Sequence, residues 1–147
     1  MFSRSTTVDP KCERLAGTDL FSVCGDRELE RLVGICTELR LPAGKVLTRE
    51  SGAGSMFFVL ADGAVRVTRG GSKLGELSDG SFFGGHSLAC CAPCNATVVV
   101  EEPALAFVFD RSEFSAVLEC GTAAPHLVAV ENERHLHPKA LLAGHRS

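Results

Sequence analysis

Phe82-Phe83-Gly84-Gly85-His86-Ser87-Leu88-Ala89-Cys90-Cys91-Ala92-Pro93-Cys94-Asn95-Ala96-Thr97-Val98 is the stretch on which the reading of this chain turns. An aromatic pair and a glycine pair come first. Three cysteines and Pro93 follow, and Thr97 to Glu101 then enter a β-branched run. Cys91-Ala92-Pro93-Cys94 adds a Cys-x-x-Cys with Cys90 and His86 upstream, the residue types of a zinc, iron–sulfur or redox site.

Upstream, the punctuation is that of short strands. Leu39 and Leu41 alternate with polar neighbours, Pro42-Ala43-Gly44 turns the chain, and Val46 to Arg49 resumes it. Ser51 to Ser55 is a glycine-rich turn, Met56 to Leu60 a buried strand, and Asp62-Gly63 a hairpin signal before Val65 to Val67. Gly70-Gly71 makes a second turn before Lys73 to Leu77. Downstream, Thr97 to Glu101 and Leu105 to Phe109 form a final strand pair divided at Glu102-Pro103. With no ten-residue helices between them, these strands predict an antiparallel barrel or sandwich.

Helical signals lie at the two ends. Asp9-Pro10 carries cap and first-turn chemistry for a short helix through Leu15, and residues 1–8 form a polar, disordered tail. From Asp26 to Cys36, Leu29, Leu32, Val33 and Cys36 recur at helical spacing, with Arg27, Glu28, Glu30 and Arg31 on the wet face. Asp110 to Glu113 is a capping segment for a helix from Phe114 to Glu119. A last helix runs from Pro125 to about Leu136 and stops at Pro138.

The chain has 147 residues, 45% of them hydrophobic, which suits one domain with a real core. Fifteen basic and 18 acidic side chains give a net charge of -3, arguing against nucleic-acid and anionic-membrane partners. No apolar run of membrane-spanning length and no secretory leader occur, so a cytoplasmic location is expected. Seven cysteines, an odd number and mostly single in apolar settings, argue against a secreted disulfide framework. Cys12, Cys24, Cys36 and Cys120 lie beside helical apolar positions and read as small buried hydrophobes.

The segment from Phe82 to Val98 resembles the phosphate-binding cassette of the cyclic-nucleotide-binding domain family. That pattern runs Phe-Gly-Glu-x-Ala-Leu, four variable residues, then Pro-Arg-Ala/Ser-Ala-Thr. Phe83, Gly84, Leu88, Pro93, Ala96 and Thr97 match in register and Ser87 is a mild change, while Gly85 replaces the Glu and Cys94 the Arg. Glu50 to Val67 is similar to the family's second block, a glycine turn and hydrophobic hairpin with a Gly-x-Val-x-Val step. The resemblance covers roughly residues 19 to 136. It implies a mainly β domain: an antiparallel eight-stranded β-roll, a jelly-roll-like double-stranded β-helix, with an N-terminal helix and C-terminal B and C helices. The expected layout is a single domain over residues 1–147, with N-terminal helices at 9–36 and the roll at 37–110 holding the cassette at 82–98. B and C helices at 111–137 and a tail at 138–147 complete it.

In the family, a short helix after Phe-Gly points its amides at the cyclic phosphate, the Arg neutralises the phosphate and the Glu holds the ribose hydroxyl. The implied ligand-binding residues are Phe83, Gly84, Gly85, His86, Ser87, Leu88, Cys94, Asn95, Ala96 and Thr97. Backbone donors from Gly85 to Leu88 bind an anion whatever the side chains. Losing the charged partner costs roughly 2–5 kcal/mol, tens to thousands of fold in affinity. His86 and Asn95 either compensate or simply solvate the loop. A thiol at position 94 would face the amides, where its reactivity is expected to rise.

No nucleophile elbow or Walker loop appears, so no catalysis is expected. His126, His135, His137 and His145 read as a solvated face, with His135 and His137 suited to stray metal at most. No metal or cofactor is assigned; the ligand expected is cyclic AMP or cyclic GMP, held weakly or atypically. The chain reads as a non-catalytic regulatory sensor module, free-standing or one piece of a larger assembly. Its alternatives are a ligand-free degenerate domain acting as an interaction module and a cysteine-based redox or metal sensor. Gly121 and Pro125 fall where a hinge is expected. Leu127, Val128 and Val130 supply apolar surface for the pocket, for a protein partner, or for a second copy's C helix.

Overall fold

Two strands of 14 residues, β3 (Met56–Arg69) and β6 (Thr97–Asp110), pair antiparallel from Met56↔Asp110 to Thr68↔Thr97 and form the spine of the sheet. The computed structural model describes residues 10–22, 24–85, 88, 94–121 and 123–136, with side chains as far as residue 130. Around the spine lie β1 (Thr37–Leu41), β2 (Val46–Thr48), β4 (Ser72–Leu77) and β5 (Phe82–Phe83). β1 pairs with the C-terminal half of β6 and β2 with its N-terminal half. β5 pairs with the first half of β3 and β4 with the second. The architecture is the expected one, a mainly antiparallel β-roll with helices at both ends.

Midway, both long strands turn a corner. Register slips three times between Leu60 and Val65, opposite the stretch that contains Pro103 and Ala104. Gly63 has φ +99°, and a Cβ there would lie 2.6 Å from both the Ala104 Cα and the Pro103 carbonyl oxygen. Only glycine fits so close a crossing. Asp62-Gly63 is therefore a bulged bend inside one strand, not the hairpin its sequence predicts, and Glu102-Pro103 likewise divides no strand pair. Six strands are described where eight are expected, because each long strand runs unbroken through its corner. The Gly70-Gly71 turn stands as predicted, both residues at positive φ between β3 and β4.

Folding over at the corner closes the roll around an inner core. Phe58, Leu60, Phe83, Ala106 and Val108 from one half meet Val65, Val67, Leu77, Ala96, Val98 and Val100 from the other. A second core lies beneath the helices, where Phe57 packs its ring against Phe82, Phe109 and Phe114, all nearly inaccessible to solvent. Leu15 from α1 (Pro10–Ala16) and Leu29, Leu32 and Val33 from α2 (Asp26–Ile35) join it. So do Phe114 and Val117 from α3 (Arg111–Leu118) and Leu127 from α4 (Ala124–Leu136).

The helix boundaries follow their caps. Asp110 accepts the Glu113 amide at 2.8 Å while the Glu113 carboxylate accepts the Asp110 amide at 2.9 Å, a capping box that starts α3 earlier than Phe114. Glu28 reaches back to the Gly25 amide in the same way at the head of α2. In α4, Leu127 is buried and Val130 packs on the helix-side core, whereas Val128 is 48% exposed. No helix among the described residues is long and apolar enough to cross a membrane.

Candidate functional site

β5 delivers the cassette to the mouth of the roll. Phe83 stacks on Phe58 with ring centroids 4.9 Å apart, fixing the strand end. Gly84 then takes φ +96°, a conformation that any Cβ would spoil, since it would sit 2.5 Å from the Met56 carbonyl oxygen. Gly85, buried, is already helical, and so is Leu88, which is 5% exposed. His86, Ser87, Cys90, Cys91 and Pro93 lie outside the described residues.

The far end of the cassette is clamped to the glycine-rich turn. The Cys94 amide donates to the Gly52 carbonyl at 2.9 Å, and the Ser51 amide donates to the Cys94 carbonyl at 2.7 Å. Ser51 is held at φ +68°, the one described non-glycine residue in the left-handed region. Thr48 donates its hydroxyl to the Ala96 carbonyl, and the Thr97 hydroxyl oxygen accepts the Glu50 amide, both at 3.0 Å. The Glu50 carboxylate in turn accepts the Gly70 amide. Cys94 is only 9% exposed. That burial removes the access on which the expected thiol reactivity depends. Asn95 is exposed and contributes its backbone.

Two arginines that stand outside the cassette motif complete this region. Inward-facing Val65 and Val67 alternate along β3, the pairing with β4 shifts register between Val67 and Thr68, and Arg69, half-buried, ends the strand. Its Nε donates to the Asn95 carbonyl at 2.7 Å, one residue from Cys94. Arg111, at the start of α3, donates to the Leu88 carbonyl and to the Gly54 carbonyl, each at 3.3 Å. It links the cassette to the glycine turn. Neither residue belongs to a recognisable motif; the only sequence signal for Arg69 is that its position continues the Gly-x-Val-x-Val alternation.

Elsewhere, His126 sets its ring edge-on to Phe82 at 6.1 Å, below α4. The side chain of His135 and all of His137 and His145 lie outside the described residues. None of the five described cysteines is in a disulfide: Cys36, Cys94 and Cys120 are buried, and Cys12 and Cys24 pack partly buried on the helix-side core. Burial pushes the Cys36 thiol up to about 11, Lys11 opposing this only in part.

A family model described as the cyclic nucleotide-binding domain matches residues 38–119, more than half of the chain. The chain belongs to the cyclic nucleotide-binding domain family. Acetyltransferase Pat of Mycolicibacterium smegmatis is 29% identical over 124 residues, covering 82% of this chain and 37% of that protein. The cAMP-dependent protein kinase regulatory subunit of Blastocladiella emersonii is 33% identical over 104 residues, covering 67% of this chain and 26% of that protein. The chain thus spans well under half the length of these relatives. The regulatory domain of Toxoplasma gondii PKA, solved with cAMP, superposes with a TM-score of 0.75 at 16% identity, over 88% of this chain and 50% of that one. That likeness is one of fold. A cyclic nucleotide-binding domain is a regulatory fold, and this chain has its β-roll and its flanking helices.

Proposed function

We propose that this domain is a non-catalytic sensor that binds a cyclic nucleotide weakly, with Arg69 supplying the countercharge that the cassette itself lacks. The observation that carries the reading is the Arg69 guanidinium, held on the Asn95 carbonyl beside Cys94 at the end of β3. A cation reaching the phosphate from the neighbouring strand would recover part of the roughly 2–5 kcal/mol lost with the cassette Arg. Gly84 supports the same reading, because its left-handed turn against the Met56 carbonyl is present although the cassette's charged residues are not. Gly85 offers no acceptor to the ribose hydroxyl, so discrimination between a cyclic nucleotide and another small phosphate should be poor.

Isothermal titration calorimetry with each nucleotide tests this. The expected result is a dissociation constant on the order of 10 μM, about 7 kcal/mol, for both ligands. Arg69→Ala should weaken binding at least tenfold. Arg66→Ala, which removes an arginine engaged with Glu101 on the outer face, should not. Restoring the family pair with Gly85→Glu and Cys94→Arg should tighten binding by tens to thousands of fold. Absence of heat at millimolar ligand, in the chain and in the double variant, would overturn the proposal.

That outcome would favour the second reading, a ligand-free interaction module. Its support is the burial of both Gly85 and Cys94, the two positions where the family's charged residues stand, together with the exposed Val128 on α4.

A further inference from the structure

Away from the cassette, residues far apart in sequence bring three metal-ligating side chains together. Cys24 stands two residues before α2, Glu28 in its first turn, and Cys120 two residues after α3. The two sulfurs are 3.6 Å apart and the Cys120 Sγ lies 3.2 Å from Glu28 Oε2. All three ligand atoms fall within 4.8 Å of one another. We propose that Cys24, Glu28 and Cys120 form a zinc site that joins the N-terminal helices to the junction between α3 and α4.

Zinc–sulfur bonds of about 2.3 Å and zinc–oxygen bonds of about 2.0–2.2 Å give tetrahedral ligand edges of about 3.6–3.8 Å. The sulfur–sulfur separation of 3.6 Å matches such an edge, and the 3.2 Å between Cys120 Sγ and Glu28 Oε2 needs only a small outward movement on binding. The groups are also held from behind. The Cys24 amide donates to the Phe21 carbonyl and the Cys120 amide to the Val117 carbonyl, both at 3.1 Å. The other carboxylate oxygen of Glu28 accepts the Gly25 amide at 3.2 Å, leaving Oε2 directed at the sulfur, as outer-shell bonds orient ligands in built sites. Cys120 is buried while Cys24 and Glu28 are partly open to solvent. Zinc binding would convert both thiols to thiolates and release two protons, giving a complex of net charge minus one with the carboxylate. A cation there would also fix the segment at Gly121, the point at which α4 departs from α3.

Cobalt(II), as an optical probe, and zinc(II), by competition with a chromophoric chelator, would be titrated into the full reduced chain. One equivalent of cobalt should give a thiolate charge-transfer band with tetrahedral d–d absorption. Cys24→Ser and Cys120→Ser should each abolish that band and lower zinc affinity beyond the ~10–100-fold typical of outer-shell changes. Cys91→Ser with Cys94→Ser, which removes the cassette Cys-x-x-Cys, should leave both readouts unchanged. If the serine variants fail to fold, the wild-type chain still decides: zinc should slow alkylation of Cys24 and Cys120 at least tenfold and leave Cys12 unaffected, by peptide mass spectrometry. The proposal falls if the band follows Cys91 and Cys94 instead. It falls equally if no band forms at millimolar cobalt, if zinc protects neither Cys24 nor Cys120, or if these two resist reduction as a disulfide.

Discussion

At Gly84 and Gly63 one added methyl group meets backbone rather than space, which makes them the most sensitive glycines among the described residues. Alanine at either must take a left-handed conformation and push against a carbonyl oxygen. Each variant should therefore lose roughly 2–5 kcal/mol in urea denaturation followed by circular dichroism. Gly34 gives the contrast. It lies within α2, and a Cβ added there would meet nothing within 4 Å, so Gly34→Ala should raise stability by roughly 0.5–1 kcal/mol. Cys36 sets a pH limit of its own. Its thiol is raised from 9.0 to about 11, so the unfolded chain loses that proton first as pH rises. The stabilisation is complete below pH 9 and disappears toward pH 11, a loss on the order of 2 kcal/mol. Thermal melts across that window should fall more steeply for the wild-type chain than for Cys36→Ala.

Among the elements, α3 depends on its cap. The Glu113 amide and the Ser112 hydroxyl hold the Asp110 carboxyl below its usual range. A depressed carboxylate stabilises the fold above its unfolded pKa and loses that effect as pH falls through the folded one. Asp110→Ala should thus destabilise at neutral pH and converge with the wild-type chain in acid, as melting curves would report. Caps of this kind are why the helices were legible in sequence: their donors and acceptors sit within three residues of each other. The corner of β3 was not legible. Asp62-Gly63 signals a tight turn equally well for a hairpin and for a bulge, and the choice is made by Pro103 and Ala104, some forty residues away, pressing on Gly63. β5 escaped notice because two residues carry no periodicity.

For the whole molecule, the two cores share the spine strands: Phe57 faces the helices while its neighbour Phe58 faces the roll. Phe57→Ala removes a ring that touches three others and should cost about 3–5 kcal/mol, much of a typical domain's stability. Its denaturation midpoint should fall for sheet and helix signals together. The same arrangement explains how far the site could be read in advance. The cassette pattern is local in sequence, and its Phe83, Gly84 and Ala96 lie from β5 to the start of β6. Arg69 and Arg111 reach the region only through strand register and the packing of α3, and Cys24 meets Cys120 across 96 residues of chain. The stacked pair Phe58 and Phe83 has a practical side as well. The chain contains neither tryptophan nor tyrosine, so it emits almost no native fluorescence. A single Phe83→Trp replacement would install one lamp against an aromatic wall, beside Gly84, and its colour would report directly on whatever enters or leaves the mouth of the roll.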